Sequence, residues 1–331
     1  MKKIINKPEE VVPEMLEGFE RSHSGLVRLL PEQRVVLRRT PKPPEKVALI
    51  SGGGSGHEPS HAGYVGPGML DAAVAGNVFA SPNPEQLLAG LIALKNKAGV
   101  LMIIKNYSGD SMNFGLAADM AAEEGVTTDS VVVNDDVALA GRDKPDWRRG
   151  IAGTVLVHKI AGAAAEKGLP LAEVKRVAEK TIAGLGSMGV ALTPCIVPEA
   201  GKPGFTLGDG EMEMGLGIHG EAGARKTPIL PADAVAEELV KKIRDDVGLK
   251  SGERVAALVN GLGGTPPMEL YIMARALHRL AGDAGLTIAW SLVGNYMTSL
   301  EMAGLSLTLL RLDPELEEFL AAPARTPALI Q

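Results

Sequence analysis

Three short segments carry side chains of the kind that act on small polar molecules. The first is SGGGSGHEP, Ser51 to Pro59, with glycine at positions 52, 53, 54 and 56. Such a run lets the backbone come close to a ligand and turn several N–H groups toward it. It is not a Walker A loop, because no Gly-Lys-Ser/Thr follows at the right spacing. It is not a dinucleotide fingerprint either, because His57 stands where a glycine is required. The loop suits something smaller than a nucleotide; with no ligand it is simply a glycine-rich turn after a strand. Inside it, HEPSH, His57 to His61, matches the H-E-x-x-H pattern of zinc peptidases. That chemistry needs both histidines on one face of a helix, and Gly56, Pro59 and Gly63 oppose helix formation. No third ligand is evident, and no metal is expected.

The second segment is IIKNYSGD, Ile103 to Asp110. It places Lys105 and Asp110 at the C-terminal end of a strand, where open α/β sheets bind ligands. Alone, Asp110 reads as a helix cap on a solvated loop. With His57 at the end of another strand of the same sheet, the two loops share a crevice, and a His with an Asp beside a hydroxyl is a general base. The third segment is EMEMGLGIHGE, Glu211 to Glu221. Met212, Met214, Leu216 and Ile218 alternate with polar or small residues, which predicts a half-buried strand. His219 lies on the other face after Gly215 and Gly217, so the space beside it is expected to be empty. A strand histidine is commonly a hydrogen-bonded structural residue. A neutral imidazole beside a vacancy is also a nucleophile for an electrophilic carbonyl.

The remaining candidates read as structural. His23, His158 and His278 fall in expected helices without polar company, and Trp147-Arg148-Arg149 reads as a solvated basic loop. Asp135 and Asp136 are adjacent carboxylates that could bind a metal but on a loop usually meet water, and Cys195 is expected to be a buried thiol among Leu192, Ile196 and Val197. NGLGGTPP, residues 260–267, is a further close-approach site or an interdomain turn.

These residues need elements to hold them. Residues 8–30 are expected to be helical, and short apolar runs at 47–50, 100–104 and 131–133 read as buried parallel strands. Helices are expected at 113–124, with Asn113 as N-cap and Gly125 as stop, and at 150–167, closed by Gly168. Strands are expected again at 254–259, 286–292 and 305–312, with a helix at 267–280. The fold class is therefore α/β, with two α/β domains, the first a mostly parallel sheet flanked by helices. Residues 1–183 form the domain with the glycine-rich loop, and residues 184–331 the domain carrying His219.

Composition narrows the function. Hydrophobic residues at 45% against 22% charged residues supply two cores. A net charge of −6 with aromatics at 3% disfavours a nucleic-acid partner, which calls for a basic, stacking surface. No run of 18 apolar residues predicts a membrane span, and MKKIINKPEE lacks the apolar core of a signal peptide, so a cytoplasmic protein is expected.

Beyond short patterns, VALISGGGSGHEPSHAGYVGPGML, GVLMIIKNYSGD, NDDVA, AGKPGFTLGDGEMEMGLGIHGE and the ending TPAL resemble the substrate-binding subunit of dihydroxyacetone kinases along the whole chain. The resemblance implies two α/β domains paired as a homodimer, and dihydroxyacetone or a similar short ketose as ligand. It implies that His219 bonds to the substrate carbonyl as a hemiaminal. His57 and Asp110 would then bind and activate the terminal hydroxyl, with Gly54, Ser55, Gly56 and Lys105 completing the hydrogen bonds. Family members that use ATP in one chain are longer, with a helical nucleotide domain appended. No cofactor is therefore expected on this chain, and ADP or ATP with Mg²⁺ is expected on a separate helical subunit. The rivals are a kinase of another ketose such as erythrulose, and a regulatory protein that senses the ketone without phosphorylating it.

Overall fold

A computed structural model describes residues 2–331. The chain divides into two compact units, neither continuous in sequence. The first holds the chain up to Val133, Val155–Lys180 and Leu316–Gln331, and the second holds Asn134–Thr154 and Thr181–Glu315. This differs from the single cut expected after residue 183. The return of residues 155–180 to the first unit follows from close packing. A Cβ at Gly162 would lie 2.5 Å from the Met69 Cα, so this helix rests directly on a turn of the first unit. The C-terminal segment is tied there too, Arg325 N–H donating to the Pro67 carbonyl at 2.8 Å and Ala328 N–H to that of Gly63 at 2.9 Å.

The first unit is built on a six-stranded sheet of β1 (Val27–Leu30), β2 (Val35–Arg38), β3 (Ala48–Ser55), β4 (Ala72–Val78), β5 (Val100–Lys105) and β6 (Thr128–Val133). Its order is β1-β2-β4-β3-β5-β6. The strands β4, β3, β5 and β6 run parallel, and β1 and β2 add an antiparallel hairpin at one edge. Every residue of β3 and β5 is buried, the signature of inner parallel strands covered on both faces. The helices are α1 (Val11–Ser22), α2 (Pro84–Ala93), α3 (Ser108–Glu123), α4 (Thr154–Lys167) and α5 (Leu171–Ala183). Ile50, Val74, Met102, Leu87, Leu91 and Phe114 share one core cluster.

Two sequence expectations shift here, and one helix is added. The helix expected over residues 8–30 stops at Ser22, because Val27–Leu30 finds an antiparallel partner in Val35–Arg38. Helix α2 starts on a capping box between Asn83 and Gln86. Helix α3 begins at Ser108 rather than Asn113, whose side chain instead donates to the Pro82 carbonyl at 2.9 Å.

The second unit carries β7 (Leu185–Ala191), β8 (Glu211–Met214), β9 (Arg225–Pro228), β10 (Arg254–Gly261), β11 (Thr287–Gly294) and β12 (Gly304–Leu312), in the order β11-β10-β12-β7-β8-β9. Only β10 and β11 pair in parallel. Helices α6 (Ala232–Val247) and α7 (Pro267–Asp283) pack on this sheet, and α8 (Pro314–Ala321) follows it in sequence. The apolar runs near 254, 286 and 305 all form strands, as expected. The glycine-rich β7 is an element that periodicity does not reveal. A Cβ at Gly186 would sit 2.8 Å from a Val247 methyl carbon, so its glycine lets α6 lie close on the sheet.

These contacts predict opposite effects for two helical glycines. Gly162→Ala is expected to lower the thermal unfolding midpoint, at a cost of about 1–3 kcal/mol from overpacking against backbone. At Gly115 of α3 a Cβ meets nothing within 4 Å, and Gly115→Ala is expected to be neutral or to stabilise by up to ~1 kcal/mol through helix propensity.

Candidate active site

In the first unit the glycine run is strand as well as loop. Strand β3 continues through Ser55, past the end expected at Ile50. A Cβ at Gly52 would lie 2.6 Å from the Val74 carbonyl oxygen, and one at Gly54 would lie 2.6 Å from the Ala80 nitrogen. A Cβ at Gly53 would lie 3.2 Å from the Lys105 Cε and 3.5 Å from the His61 Nε2. These three glycines thus make room for the protein's own neighbours. Gly56 has φ +100, a conformation that turns the chain out of the strand and that a side chain would strain. The Ser55 hydroxyl donates to the Gly76 carbonyl at 2.8 Å.

His57 follows that turn, buried, with its ring stacked on Phe79 at a centroid distance of 5.1 Å. Lys105 is the last residue of β5 and fully buried, its ammonium 5.3 Å from the centre of the Tyr107 ring. Asp110 is buried in the first turn of α3, not on a loop, where the helix N-terminus favours a carboxylate. Because β3 and β5 are adjacent and parallel, the topology brings His57, Lys105 and Asp110 to the C-terminal ends of neighbouring strands.

Sequence reasoning missed a second group under the same strand. His158 of α4 was expected to lack polar company, yet its Nε2 lies 3.0 Å from the Nδ1 of His61, and both rings are buried. The Ser51 hydroxyl lies 3.4 Å from the same Nδ1 and donates to the Ile103 carbonyl. Burial first, then the Lys105 charge and His158, holds His61 well below its ordinary pKa. Burial and Lys105 likewise bring His158 down to about 3. The available signal was a histidine, followed by Lys159, between the apolar stretches of α4, since a buried ring nitrogen requires a partner. Residues 57–61 form turns, not the helix that zinc-peptidase chemistry needs. Among the described residues, no group of three or more His, Cys, Asp or Glu is placed to hold a metal ion.

In the second unit the strand expected over 211–221 ends at Met214, where Gly215 adopts φ +75. The chain then closes a tight turn, Gly220 N–H donating to Gly217 and Gly217 N–H to Glu221, each at 3.0 Å. His219 rides on this turn with 18% of its side chain exposed. The room that Gly217 leaves is taken by a carboxylate and a guanidinium: a Cβ there would strike the Glu221 carboxylate and lie 2.6 Å from an Arg149 nitrogen. Glu221 Oε1 lies 2.7 Å from the His219 Nδ1, and Glu221 Oε2 accepts the His219 backbone N–H at 3.0 Å. Burial alone raises the Glu221 carboxyl, but the His219 bond and charge, with nearby N–H groups, bring it down to about 2.

The surroundings of this turn correct two further expectations. Arg149 is buried, not solvated; its Nη2 reaches Asp136 at 2.6 Å and donates to the Gly215 carbonyl at 2.6 Å. Asp135 and Asp136 are also buried, Asp135 accepting from Ile151 N–H and Gly153 N–H. Burial pushes Asp136 up to about 6 against the pull of Arg149. Arg148 pairs with Asp246 at 2.7 Å. These groups brace backbone and leave water little access. Cys195 is buried as expected, its sulfur 3.8 Å from the Ser299 hydroxyl.

Comparison with known proteins decides the family, because residues 17–328 match the Dak1 domain. The chain belongs to the Dak1 domain family. It is 52% identical over 315 residues to the dihydroxyacetone-binding subunit DhaK of a PTS-dependent dihydroxyacetone kinase of Listeria innocua, covering 95% of each chain. The dihydroxyacetone kinase operon co-activator Dha-DhaQ superposes with a TM-score of 0.91 at 36% identity, covering 98% of this chain and 99% of that one. The dihydroxyacetone kinase of C. freundii in complex with AMP-PNP and Mg²⁺ gives a TM-score of 0.88 at 38% identity, covering 98% of this chain and 60% of that one. No helix among the described residues of this Dak1 chain is long and apolar enough to cross a membrane.

The buried histidine pair makes the stability of this Dak1 domain pH-dependent with a defined sign. Both folded-state values lie below the ordinary 6.5, so the unfolded chain takes up protons that the folded chain refuses. Stability is full above about pH 6.5 and falls as pH drops toward 3, by at most ~1.4 kcal/mol per pH unit per histidine. Thermal unfolding from pH 7 to pH 5 is expected to show this fall. His158→Gln is expected to lower the pH 7 midpoint and flatten the slope.

Proposed function

We propose that the chain is the dihydroxyacetone-binding subunit of a dihydroxyacetone kinase, a phosphotransferase that converts the ketone to its phosphate. In this reading His219 adds to the ketone carbonyl and holds the substrate as a hemiaminal. His57 and Asp110 bind the terminal hydroxyl and take its proton as it attacks the phosphoryl donor. The groups around Gly54, Ser55, Gly56 and Lys105 complete the hydrogen bonds. Covalent anchoring fixes a small polar molecule for in-line transfer, which its few contacts alone would not do. It also excludes glycerol, which has no carbonyl to add to.

The observation that carries the reading is His219 itself: a partly exposed imidazole on a tight turn, bonded through one ring nitrogen to an ionised carboxylate. The identity to the Listeria subunit supports dihydroxyacetone as the ketone. The glycine run does not fit a nucleotide, because Val74, Ala80, Lys105 and His61 occupy the room its missing side chains leave. In this reading ATP or ADP with Mg²⁺ is carried by a separate helical subunit, where the metal would neutralise charge on the transferred phosphoryl group. A cytoplasmic homodimer working in glycerol metabolism completes the proposal.

A second reading has support in the likeness to the operon co-activator. A sensor of hydroxyketones needs the carbonyl trap but no base, and the presence of both His57 and Asp110 favours the enzyme. A ketose such as erythrulose would fit the same trap, and turnover with a panel of trioses and tetroses separates these substrates.

Two variants test the roles. His219→Ala is expected to abolish the covalent adduct seen by ¹³C NMR with dihydroxyacetone labelled at its carbonyl carbon; an adduct that survives removes His219 from the mechanism. Asp110→Asn is expected to keep the adduct and lose about 10²–10⁴-fold in phosphorylation rate when assayed with the nucleotide subunit. Unchanged turnover would refute Asp110 as base. Calorimetry of the isolated chain with MgATP is expected to show no binding, and micromolar affinity would overturn the two-subunit assignment.

A further inference from the structure

We infer that Glu221 is the positioning residue of the carbonyl trap: its carboxylate fixes the proton of His219 on Nδ1 and so turns the Nε2 lone pair to the ketone. This deepens the reading of His219 as nucleophile and rests on it. The clamp has two points. Glu221 Oε1 meets the ring Nδ1 at 2.7 Å, and Oε2 accepts the backbone N–H of the same histidine at 3.0 Å. One carboxylate therefore fixes both the ring and the peptide that carries it, which leaves the imidazole little freedom to swing or flip.

An ionised carboxylate only accepts hydrogen bonds, so the ring nitrogen facing it must carry the hydrogen. In a neutral imidazole the other nitrogen then holds the lone pair. The Glu221 carboxyl, brought down to about 2, is ionised at neutral pH and is there an acceptor only. Glycine at 217 belongs to the same device, because any side chain there would strike the carboxylate. The Arg149 guanidinium, which also borders the place a Gly217 side chain would take, is bound to Asp136 and to the Gly215 carbonyl at the start of the turn.

The step balances in atoms and electrons. The Nε2 lone pair forms the C–N bond, the carbonyl π pair moves to oxygen, and that oxygen takes a proton from water, whose hydroxide passes to the solvent. The ring, now substituted at Nε2 and still protonated at Nδ1, is a cation facing the Glu221 carboxylate. Glu221 thus favours the adduct twice, by presenting the right nitrogen and by pairing with the charge that addition creates.

The experiment uses the chain with ring-¹⁵N histidine and carbonyl-¹³C dihydroxyacetone. The wild type is expected to show His219 with hydrogen on Nδ1 and to form the adduct. Glu221→Gln is expected to move the ring toward the Nε2–H tautomer and to weaken the adduct roughly 10- to 100-fold. Glu221→Asp, which keeps the charge, is expected to recover part of both. A merely structural role would change the unfolding midpoint and leave the tautomer of the folded protein alone. Wild-type tautomer and adduct affinity in Glu221→Gln would overturn the inference while leaving His219 as nucleophile. If the wild type forms no adduct, or His219→Ala keeps one, the reading of His219 fails and the role of Glu221 fails with it.

Discussion

Close approach of backbone to backbone is the constraint on which the first unit depends. Strand β3 lies between β4 and β5, and the Val74 carbonyl and the Ala80 nitrogen come so near that side chains at Gly52 and Gly54 have no space. Gly53 opens the room that the Lys105 and His61 side chains use. Removing three side chains weakens the strand entropically, but it allows a buried lysine and two buried histidines to collect under one strand end. Such a group is tolerated in a core because the rings stay neutral and bond to each other. The glycines make room for the protein's own neighbours.

The second unit solves a different problem with buried charge. Arg149 with Asp136, and Arg148 with Asp246, are ion pairs taken out of water, and each depends on further hydrogen bonds to offset its desolvation. Arg149 reaches the Gly215 carbonyl, so the pair also ends β8 and starts the turn that carries His219. A histidine on a free loop would sample many orientations. Here the tight turn and the two contacts from the Glu221 carboxylate reduce them to few.

Much of this was legible in the order of residues. The apolar runs that form β3, β5, β10 and β12 follow from local pattern, because burial on both faces demands continuous apolar sequence, and the edge strands β6 and β11, the helix after Pro267 and the buried Cys195 were legible from their apolar residues as well. The types His57, Lys105, Asp110 and His219 stood out because their neighbours were glycine-rich or strand-terminal. The glycine-rich β7 did not stand out, since its strand character comes from Val190, Leu185 and the partner strand β12, not from its own propensity.

The sequence by itself determined the α/β class, the family and the chemical identity of the candidate groups, because these reside in local periodicity and long motifs. Only the tertiary structure decided that residues 155–180 leave the neighbours they have in sequence for the first unit, and that His158 is the partner of His61. It also showed that Asp135, Asp136, Arg148 and Arg149 are interior rather than solvated, and that the space beside His219 holds a carboxylate. The reason is common to all of these. Which polar group meets which is set by contacts between residues far apart in the chain, and no spacing along the chain records the position of a partner that folding brings from elsewhere.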